Sequence, residues 1–340
     1  MIAPPDVNQK TIEIRMPQTV TFPTPLPVFV YGALRSGTTV FRLMLDSHGE
    51  IGNPGERDFL FDFLKPDPTH PTGWRYDLDK LQLNRIFQNS GLKIIQGPNG
   101  QDLDGLDLLA AFLGQLKTQC GGPEVFTLNI HRHIDKILRI LPEARVIHML
   151  RDPRDVARSS IGMGWASHIY YGVDHWIGTE TDWDRGTTSL PDDQVLTLTY
   201  EGLFRDIETE LRRVCDFLGV EWSSKMLDYH ENSTYSPPDP SLVEQWRRKC
   251  DKDDLALLEG KAGSLMQDRG YQFSTGGRHP APFEVLRLWS GHKFGKWQHG
   301  IRKYGVGMFF GEKISRWLKI RRVHKRLRSR MNVIDQALLK

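Results

Sequence analysis

The sequence has few cysteines and no long apolar run. Its 340 residues include three cysteines, Cys120, Cys215 and Cys250, which lie far apart and are odd in number. This spacing fits neither a disulfide framework nor a zinc site, so we expect a reducing compartment. No stretch is apolar for the length that a membrane-spanning helix needs. The N-terminus also lacks the basic start and apolar run of a signal peptide, which favours a cytoplasmic protein.

Net positive charge is absent from the first 277 residues and concentrated after them. Residues 278–340 contain 16 Lys and Arg and three acids, a net charge of +13. Because the whole chain carries +3, the preceding residues carry a net charge of −10. Leu318, Val323 and Leu327 lie among the cations and predict a basic helical extension. Its alternative contacts are anionic lipid at the cytoplasmic face of a membrane, a partner subunit, an acidic glycan or the acidic body of the chain itself.

Short apolar strands alternate with amphipathic helices over much of the chain. Strands are predicted over residues 28–31, 125–128, 146–150 and 195–200, and helices over residues 103–119 and 203–218. This alternation predicts an α/β fold with a central parallel sheet flanked by helices. Residues 161–186, which are rich in Gly, Trp, Tyr and His, are expected to form a mobile cap. Within them His168, Asp174 and His175 have a poor spacing for a metal ion.

The stretch from residue 27 to residue 45 predicts a strand, a tight turn and a helix start. The turn consists of Arg35, Ser36, Gly37, Thr38 and Thr39. Backbone N–H groups at such a helix start favour a phosphate or sulfate. Gly37 lets the backbone approach the anion closely, Arg35 adds a charge, and the hydroxyl groups add hydrogen-bond donors.

The same turn lacks the lysine of the Walker A motif. Gly32 and Gly37 are five residues apart, as that motif requires, but Thr38 occupies the lysine position. A nucleotide-dependent kinase is therefore a disfavoured alternative. A second alternative is a nucleotide-binding or anionic-lipid-binding protein without catalytic activity.

A second anion motif follows the strand predicted over residues 146–150. Arg151 lies at the strand end, and Ser159 lies eight residues later within the next helix. One guanidinium and one hydroxyl group in this arrangement can hold a phosphate monoester. Ligands of open parallel sheets bind at the carboxyl ends of the strands. We therefore expect Arg151, Gly32 and Asn129, which all follow predicted strands, to converge on one site.

Both motifs resemble those of the sulfotransferases that use 3′-phosphoadenosine 5′-phosphosulfate (PAPS). In that family a loop similar to residues 35–39 holds the 5′-phosphosulfate, and residues matching Arg151 and Ser159 hold the 3′-phosphate. Tyr200 lies where an aromatic residue would contact the adenine, and it is equally a candidate core tyrosine. The resemblance covers about residues 27–272. It implies a three-layer P-loop-type fold, PAPS as the sulfate donor, a hydroxyl-bearing acceptor, no metal and no nucleic-acid partner.

The resemblance offers two candidates for the catalytic base. Glu56, 21 residues after Arg35, matches the catalytic glutamate of tyrosylprotein sulfotransferases. His131 matches the histidine base of the cytosolic small-molecule enzymes. We favour Glu56 as the base, with His131 in a positioning role. Asn129 replaces the lysine that both branches usually place beside the leaving phosphate, so either Arg35, His131 or Arg132 supplies that charge or activity is reduced.

These interpretations divide the chain into three parts. Residues 1–26 are an extended lead-in, residues 27–275 a sulfotransferase domain, and residues 276–340 a basic helical C-terminal extension. The class of acceptor stays open, since carbohydrate, lipid, phenolic metabolite and peptide all carry suitable hydroxyl groups.

Overall fold

The structure, a computed structural model, describes residues 20–337 apart from residues 189, 232, 234 and 238. The predicted lead-in over residues 1–26 therefore falls mostly outside the described residues. The strands of this part are β1 (Val28–Tyr31), β2 (Ile51–Gly52), β3 (Leu64–Pro66), β4 (Trp74–Tyr76), β5 (Val125–Ile130), β6 (Val146–Leu150) and β7 (Val195–Thr199). Its α-helices are α1 (Thr38–Asp46), α2 (Phe59–Asp62), α3 (Leu78–Leu83), α4 (Arg85–Asn89), α5 (Gly105–Gln119), α6 (Ile134–Ile140), α7 (Pro153–Gly162), α8 (Ile169–Gly172), α9 (Asp174–Thr187), α10 (Tyr200–Arg205), α11 (Ile207–Leu218), α12 (Trp246–Lys249), α13 (Lys252–Ala262), α14 (Ser264–Asp268), α15 (Pro282–Tyr304), α16 (Val306–Trp317) and α17 (Arg321–Ala337).

Five strands form one parallel sheet in the order β2–β5–β1–β6–β7. The central strand β1 pairs with β5 on one side, where Val28 lies opposite Thr127, and with β6 on the other, where Phe29 lies opposite Val146. Strands β3 and β4 form a separate antiparallel hairpin. The predicted α/β class with a central parallel sheet is confirmed.

Both faces of the sheet are covered, because its central strand is apolar on both faces. Phe29 and Tyr31 of β1 belong to one hydrophobic cluster, and the alternating Val28 and Val30 belong to another. Helices α5 and α6 contribute to the first cluster, and helices α1, α10 and α11 to the second. The result is the expected three-layer arrangement of helices on a sheet.

Two predicted boundaries are wrong for identifiable reasons. Strand β5 continues through Asn129 to Ile130, because these two residues pair with Val30 and Tyr31 of β1. The helix predicted over residues 203–218 is two helices. The Asp206 carboxylate accepts a hydrogen bond from the Thr209 N–H at 3.3 Å, and this cap starts α11 where α10 ends.

The segment predicted as a mobile cap is instead part of the folded body. It forms the end of α7 and helices α8 and α9, and Trp176 is fully buried in a third apolar cluster with Val156 and Leu258. The Trp176 indole N–H also donates to the Arg151 carbonyl at 3.1 Å. Because this side chain packs directly beneath Arg151, the prediction of a mobile cap is wrong.

The predicted basic extension is helical, as expected, and packs on the body of the molecule. The His292 ring of α15 lies 4.4 Å from the Tyr171 ring, measured between centroids. The Lys325 ammonium of α17 donates to Asp79 of the body at 3.1 Å. Within the extension, Tyr304 of α15 donates to Asp335 of α17 at 2.6 Å. Across the described residues, no helix combines the length and apolar character needed to cross a membrane.

Candidate active site

A cavity of about 760 Å³ lies at the carboxyl edge of the sheet. Its walls come from the loop after β1, the start of α1, helix α7 and the start of α10. The predicted site residues that line it are Arg35, Gly37, Thr38, Thr39, Glu56, Arg151, Ser159 and Tyr200. The two anion motifs are thus on the same cavity, as the strand-end argument required.

The loop after β1 fits an anion. Gly37 has φ +88°, and a Cβ atom there would lie 2.3 Å from Cδ2 of Tyr200, so the position admits only glycine without strain. Helix α1 starts at Thr38 and directs its free backbone N–H groups toward the cavity. Ser36 is fully buried, and its Oγ has no hydrogen-bond partner among the described residues. Free N–H groups and an unpaired hydroxyl at a helix N-terminus suit a phosphate or sulfate.

Arg35 connects the two motifs. Its Nε donates to Oγ of Ser159 at 2.9 Å, and its backbone carbonyl accepts from Nη1 of Arg151 at 3.0 Å. The Arg151 guanidinium lies 3.9 Å above the Tyr200 ring centroid, within the range of a cation–π contact. The Nε of Arg151 is buried without a hydrogen-bond partner in the described part of the chain. Two positive charges and a hydroxyl group therefore share one wall of the cavity.

The local sequence explains how Arg151 and Ser159 come together. Asp152 caps α7, since its carboxylate accepts from the Arg154 N–H at 2.9 Å, and Pro153 occupies the first turn of the helix. The helix therefore starts immediately after β6. Ser159 lies on this helix, close enough to meet the Arg35 side chain from the neighbouring loop.

Glu56 and His131 lie next to each other beside this wall. Nε2 of His131 lies 3.6 Å from a Glu56 carboxylate oxygen. Nδ1 of His131 donates to the Gly32 carbonyl at 2.8 Å, because a carbonyl can only accept. The Glu56 side chain is 40% exposed and lines the cavity, whereas that of His131 is 2% exposed. Glu56 can therefore reach a bound molecule, and His131 contacts the cavity through Glu56.

The surroundings favour the charged form of both groups. Burial opposes protonation of His131, but Asp58, Glu56 and the Gly32 carbonyl together raise its pKa above the usual 6.5. The contact with His131 lowers the pKa of Glu56 below 4.5, and Arg42 and Arg85 act in the same direction. At neutral pH Glu56 is thus a carboxylate able to accept a proton. A protonated His131 cannot accept one.

Asn129, which replaces the expected lysine, is fully buried and engaged within the wall. Its Nδ2 donates to the Thr38 carbonyl at 2.9 Å, and its Oδ1 accepts from Asn53 at 3.0 Å. These bonds tie the Glu56 loop to the start of α1. Arg132 binds Asp62, with 2.6 Å between Nε and Oδ1, so its charge is directed away from the cavity.

Part of the cavity wall has no counterpart in the sequence motifs. The Leu242 carbonyl accepts from Nη2 of Arg151 at 3.1 Å, and Nη2 of Arg158 donates to Oε1 of Gln245 at 2.6 Å. Lining residues that sequence reasoning missed are Arg158, Trp165, Tyr235, Ser236, Asp239, Leu242 and Gln245. Residues 235–245 carry turn-forming Ser, Pro and Asp without a motif. The sequence feature that could have indicated this part of the wall was Arg158, a cation next to Ser159.

The three residues considered for a metal are engaged elsewhere. Nε2 of His168 lies 3.0 Å from Asp254, Nε2 of His175 lies 3.0 Å from the Leu34 carbonyl, and Asp174 pairs with Lys261. Within the described residues, no group of three or more His, Cys, Asp or Glu side chains is placed to hold a metal ion.

Comparison with known proteins identifies the family. The profile of the sulfotransferase family matches residues 27–224 of this chain, which is more than half of its length. A Caenorhabditis briggsae protein assigned by name to the protein-tyrosine sulfotransferases is 28% identical over 214 residues, covering 60% of this chain and 69% of that protein. Protein-tyrosine sulfotransferase 1 of Danio rerio is 23% identical, covering 60% of this chain and 56% of its own length.

The fold agrees with the family. The sulfotransferase domain from the curacin biosynthetic pathway superimposes with a TM-score of 0.53 at 17% identity, covering 73% of this chain and 99% of that domain. At this identity the likeness concerns the fold alone, and it confirms the P-loop-type architecture. The chain therefore belongs to the sulfotransferase family, the enzymes that transfer a sulfuryl group from PAPS to an acceptor.

Proposed function

We propose that this protein transfers the sulfuryl group of PAPS to a hydroxyl acceptor at the carboxyl edge of its sheet. The observation that carries this proposal is the meeting of a helix N-terminus, two arginines and an ionised carboxylate on one cavity of about 760 Å³. That volume lies within the usual range for small-molecule sites, about 300–1,000 Å³. When bound, PAPS supplies an activated sulfuryl group and leaves as 3′,5′-adenosine bisphosphate.

The two motifs bind different parts of the nucleotide. Residues 35–39 bind the 5′-phosphosulfate through the N–H groups of α1, the Arg35 charge and the unpaired Ser36 hydroxyl. Arg151 and Ser159 bind the 3′-phosphate, with the unpaired Nε of Arg151 as one donor. Tyr200, held beneath Arg151, contacts the adenine from the same wall.

Glu56 acts as the general base. Its carboxylate lines the cavity and stays ionised at neutral pH, so it can take the proton of the acceptor hydroxyl. A well-placed general base contributes about 10²–10⁴-fold to the rate. His131 is a positioning residue that holds the carboxylate at 3.6 Å, and its positive charge, with that of Arg35, stands in for the missing lysine.

The two alternatives are less well supported. A kinase of Walker type requires a lysine where Thr38 stands, and the family match disfavours it. A binding protein without catalysis would have no use for an ionised glutamate on the cavity, although Asn129 at the lysine position favours that alternative.

Titration and mass spectrometry together test this function. Isothermal titration should show binding of PAPS and of 3′,5′-adenosine bisphosphate. Incubation with PAPS and a panel of carbohydrate, lipid, phenolic and peptide hydroxyl compounds should then yield a product that has gained one sulfuryl group. Nucleotide binding without transfer to any class would favour the binding protein, and transfer from ATP instead would favour the kinase.

We also propose that the helical extension docks on an anionic membrane. Phe283, Leu286, Phe294 and Trp297 share one face of α15 by their helical spacing, and all four are exposed. The opposite face carries His292, which packs on Tyr171. An apolar face directed away from the protein, within a segment of net charge +13, matches the chemistry of a negatively charged lipid surface.

Other apolar side chains of the extension are also exposed, and we call all of these exposed residues together the extension face. Trp317 of α16 is 81% exposed, and Phe283 is 72% exposed. Besides the four residues of α15, the extension face includes Trp289, Val306, Ile314, Trp317, Leu318, Ile320 and Val323. Aromatic side chains beside Lys and Arg are typical of the boundary between headgroups and acyl chains.

A further inference from the structure

A second, smaller cavity adjoins the first at Glu56. It has a volume of about 310 Å³, and Thr39 and Glu56 line both cavities. Its walls also include Arg42, Pro54, Gly55, Arg57, Arg85, Ile86 and Asn129. We call it the arginine pocket. A molecule in this pocket can therefore contact the proposed base, which it shares with the nucleotide cavity.

Three separate elements bring arginines to this pocket. Arg42 lies on α1, Arg57 follows Glu56, and Arg85 is the first residue of α4, whose start is fixed by the Asn84 cap on the Phe87 N–H at 3.0 Å. All three are partly buried. The three guanidinium groups are therefore held at the pocket by packed structure, unlike the charge of a fully exposed side chain.

These arginines lack the carboxylate partners that others in the molecule have. Among the described residues, no carboxylate oxygen lies within 4.0 Å of the guanidinium nitrogens of Arg42, Arg57 or Arg85. Elsewhere in the chain, arginines paired with carboxylates include Arg132, Arg154, Arg185, Arg212, Arg247 and Arg269. Three partly buried cations face a single lining carboxylate, that of Glu56, and this excess of positive charge favours an external anion.

Among the three arginines, Arg57 gives the most direct evidence for an anion site. Its Nη1 donates to the backbone carbonyl of Glu56 at 2.8 Å, but its Nε is buried with no hydrogen-bond partner in the described part of the chain. Burial, with the neighbouring charge of Arg42, lowers the pKa of Arg57 to about 10. A bound anion would satisfy the free Nε and relieve the repulsion between the two guanidinium groups.

We propose that the acceptor is a compact anionic alcohol, whose phosphate or carboxylate group binds in the arginine pocket while its hydroxyl group meets Glu56. This inference rests on the proposed sulfuryl transfer and names the class of acceptor. The pocket volume of about 310 Å³ is at the small end of ligand sites, so the anionic group lies only a few atoms from the hydroxyl. Ile86 supplies an apolar wall for the carbon skeleton.

Three small probes with related hydroxyl groups test this class of acceptor. Glycerol 1-phosphate, glycerate and glycerol are titrated into the protein saturated with 3′,5′-adenosine bisphosphate, so that the nucleotide motifs are filled. A charge-assisted contact contributes about 1.5–3 kcal/mol, so at least one anionic probe should bind about tenfold to a hundredfold more tightly than glycerol. The preferred anion distinguishes a phosphate ester from a carboxylate.

Single variants then locate the binding. Arg42→Gln, Arg57→Gln and Arg85→Gln should each weaken the anionic probe at least tenfold and leave 3′,5′-adenosine bisphosphate binding unchanged. The matched control is Arg212→Gln, an exposed arginine on α11 that pairs with Glu208 and should change neither affinity. Because the three variants lie on separate elements, a folding defect in one leaves the other two informative.

Two results would overturn the proposal: equal affinity for all three probes, or an anion affinity that the three variants leave unchanged. A failure of 3′,5′-adenosine bisphosphate to bind would instead contradict the proposed sulfuryl transfer. Titration of glycerol 1-phosphate into nucleotide-free protein and its three arginine variants would still test the pocket in that case.

Discussion

Glu56 and His131, 3.6 Å apart, are the residues on which the chemistry depends. The Gly32 carbonyl fixes the His131 ring, and the ring in turn holds the Glu56 carboxylate. The pKa of His131 is raised and that of Glu56 is lowered, so the surroundings favour the charged form of both groups. This favours Glu56 as the proton acceptor and His131 as a positive charge beside it.

The pH dependence of the rate separates the two candidate bases. Glu56 accepts a proton only when ionised, and its pKa lies below 4.5, so we predict no acid limb between pH 4.5 and 6.5. A His131 base would instead be protonated and inactive until the pH exceeds its raised pKa, which places the limb above pH 6.5. The measurement is kcat/KM for transfer of labelled sulfate from PAPS across this range.

Arg151 should read the 3′-phosphate of the nucleotide. Arg151→Ala removes a charge-assisted contact of about 1.5–3 kcal/mol. We therefore predict about a tenfold to hundredfold loss of affinity for 3′,5′-adenosine bisphosphate and a much smaller loss for 5′-AMP, measured by isothermal titration. Arg212→Ala is the control, as an exposed arginine remote from the cavity. Equal losses for the two nucleotides would show that Arg151 has a different role.

Among single residues, the sequence predicted those that belong to motifs. Arg35, Arg151 and Ser159 come together as their strand-end positions suggested. Arg57 and Arg85 were not predicted as pocket residues, because only the tertiary fold brings them together from a loop and from helix α4. The loss of charge at Asn129 was visible in the sequence, but its burial between Thr38 and Asn53 was not.

Among the structural elements, the turn between β1 and α1 has the strictest steric requirements. Gly37→Ala places a Cβ atom 2.3 Å from the Tyr200 ring at φ +88°. We predict a loss of stability and of nucleotide binding together, because the turn has to move away from Tyr200. Gly49→Ala is a matched control at φ +97° with nothing within 4 Å of its Cβ.

The control isolates backbone strain from the clash. Each alanine in the left-handed region costs about 1–3 kcal/mol of folding free energy. Thermal unfolding should therefore detect both substitutions, whereas titration with 3′,5′-adenosine bisphosphate should detect only Gly37→Ala. Full nucleotide affinity in the Gly37 variant would show that the close packing of this turn on Tyr200 is unnecessary for binding.

Predicted elements were correct where the pattern is local and wrong where distant contacts decide. The apolar runs of β1 and β6 and the periodicity of α5 correspond to strands and a helix in the structure. The extension of β5 depends on the pairing of Asn129 and Ile130 with Val30 and Tyr31 of β1, which no local pattern encodes. The segment around Trp176 lacks a clear period, and it is ordered by burial against α7 and α13.

For the whole molecule, the separation of charge has a testable consequence. We predict that the protein binds vesicles of phosphatidylserine and phosphatidylcholine more tightly than vesicles of phosphatidylcholine alone. Burial of one large apolar side chain contributes about 1.5–3 kcal/mol. Phe283→Ser and Trp317→Ser, both at highly exposed positions, should therefore each weaken binding about tenfold or more in a flotation assay.

The control for the vesicle assay is Tyr235→Ser, an exposed aromatic residue outside the extension face. It should leave vesicle binding unchanged. A protein that ignores anionic vesicles but forms a dimer, lost in the Phe283 and Trp317 variants, would assign the extension face to a second copy of the chain.

The most direct test of the account is transfer of labelled sulfate from PAPS by the Glu56→Gln variant, with the acceptor selected by the hydroxyl panel. Glutamine keeps the size of the side chain but accepts no proton at neutral pH. We predict a fall in the single-turnover rate of about 10²–10⁴-fold with unchanged affinity for 3′,5′-adenosine bisphosphate, and a smaller fall for His131→Ala. A Glu56→Gln protein that transfers sulfate at the wild-type rate, beside an inactive His131→Ala protein, would contradict the account and assign the base to His131.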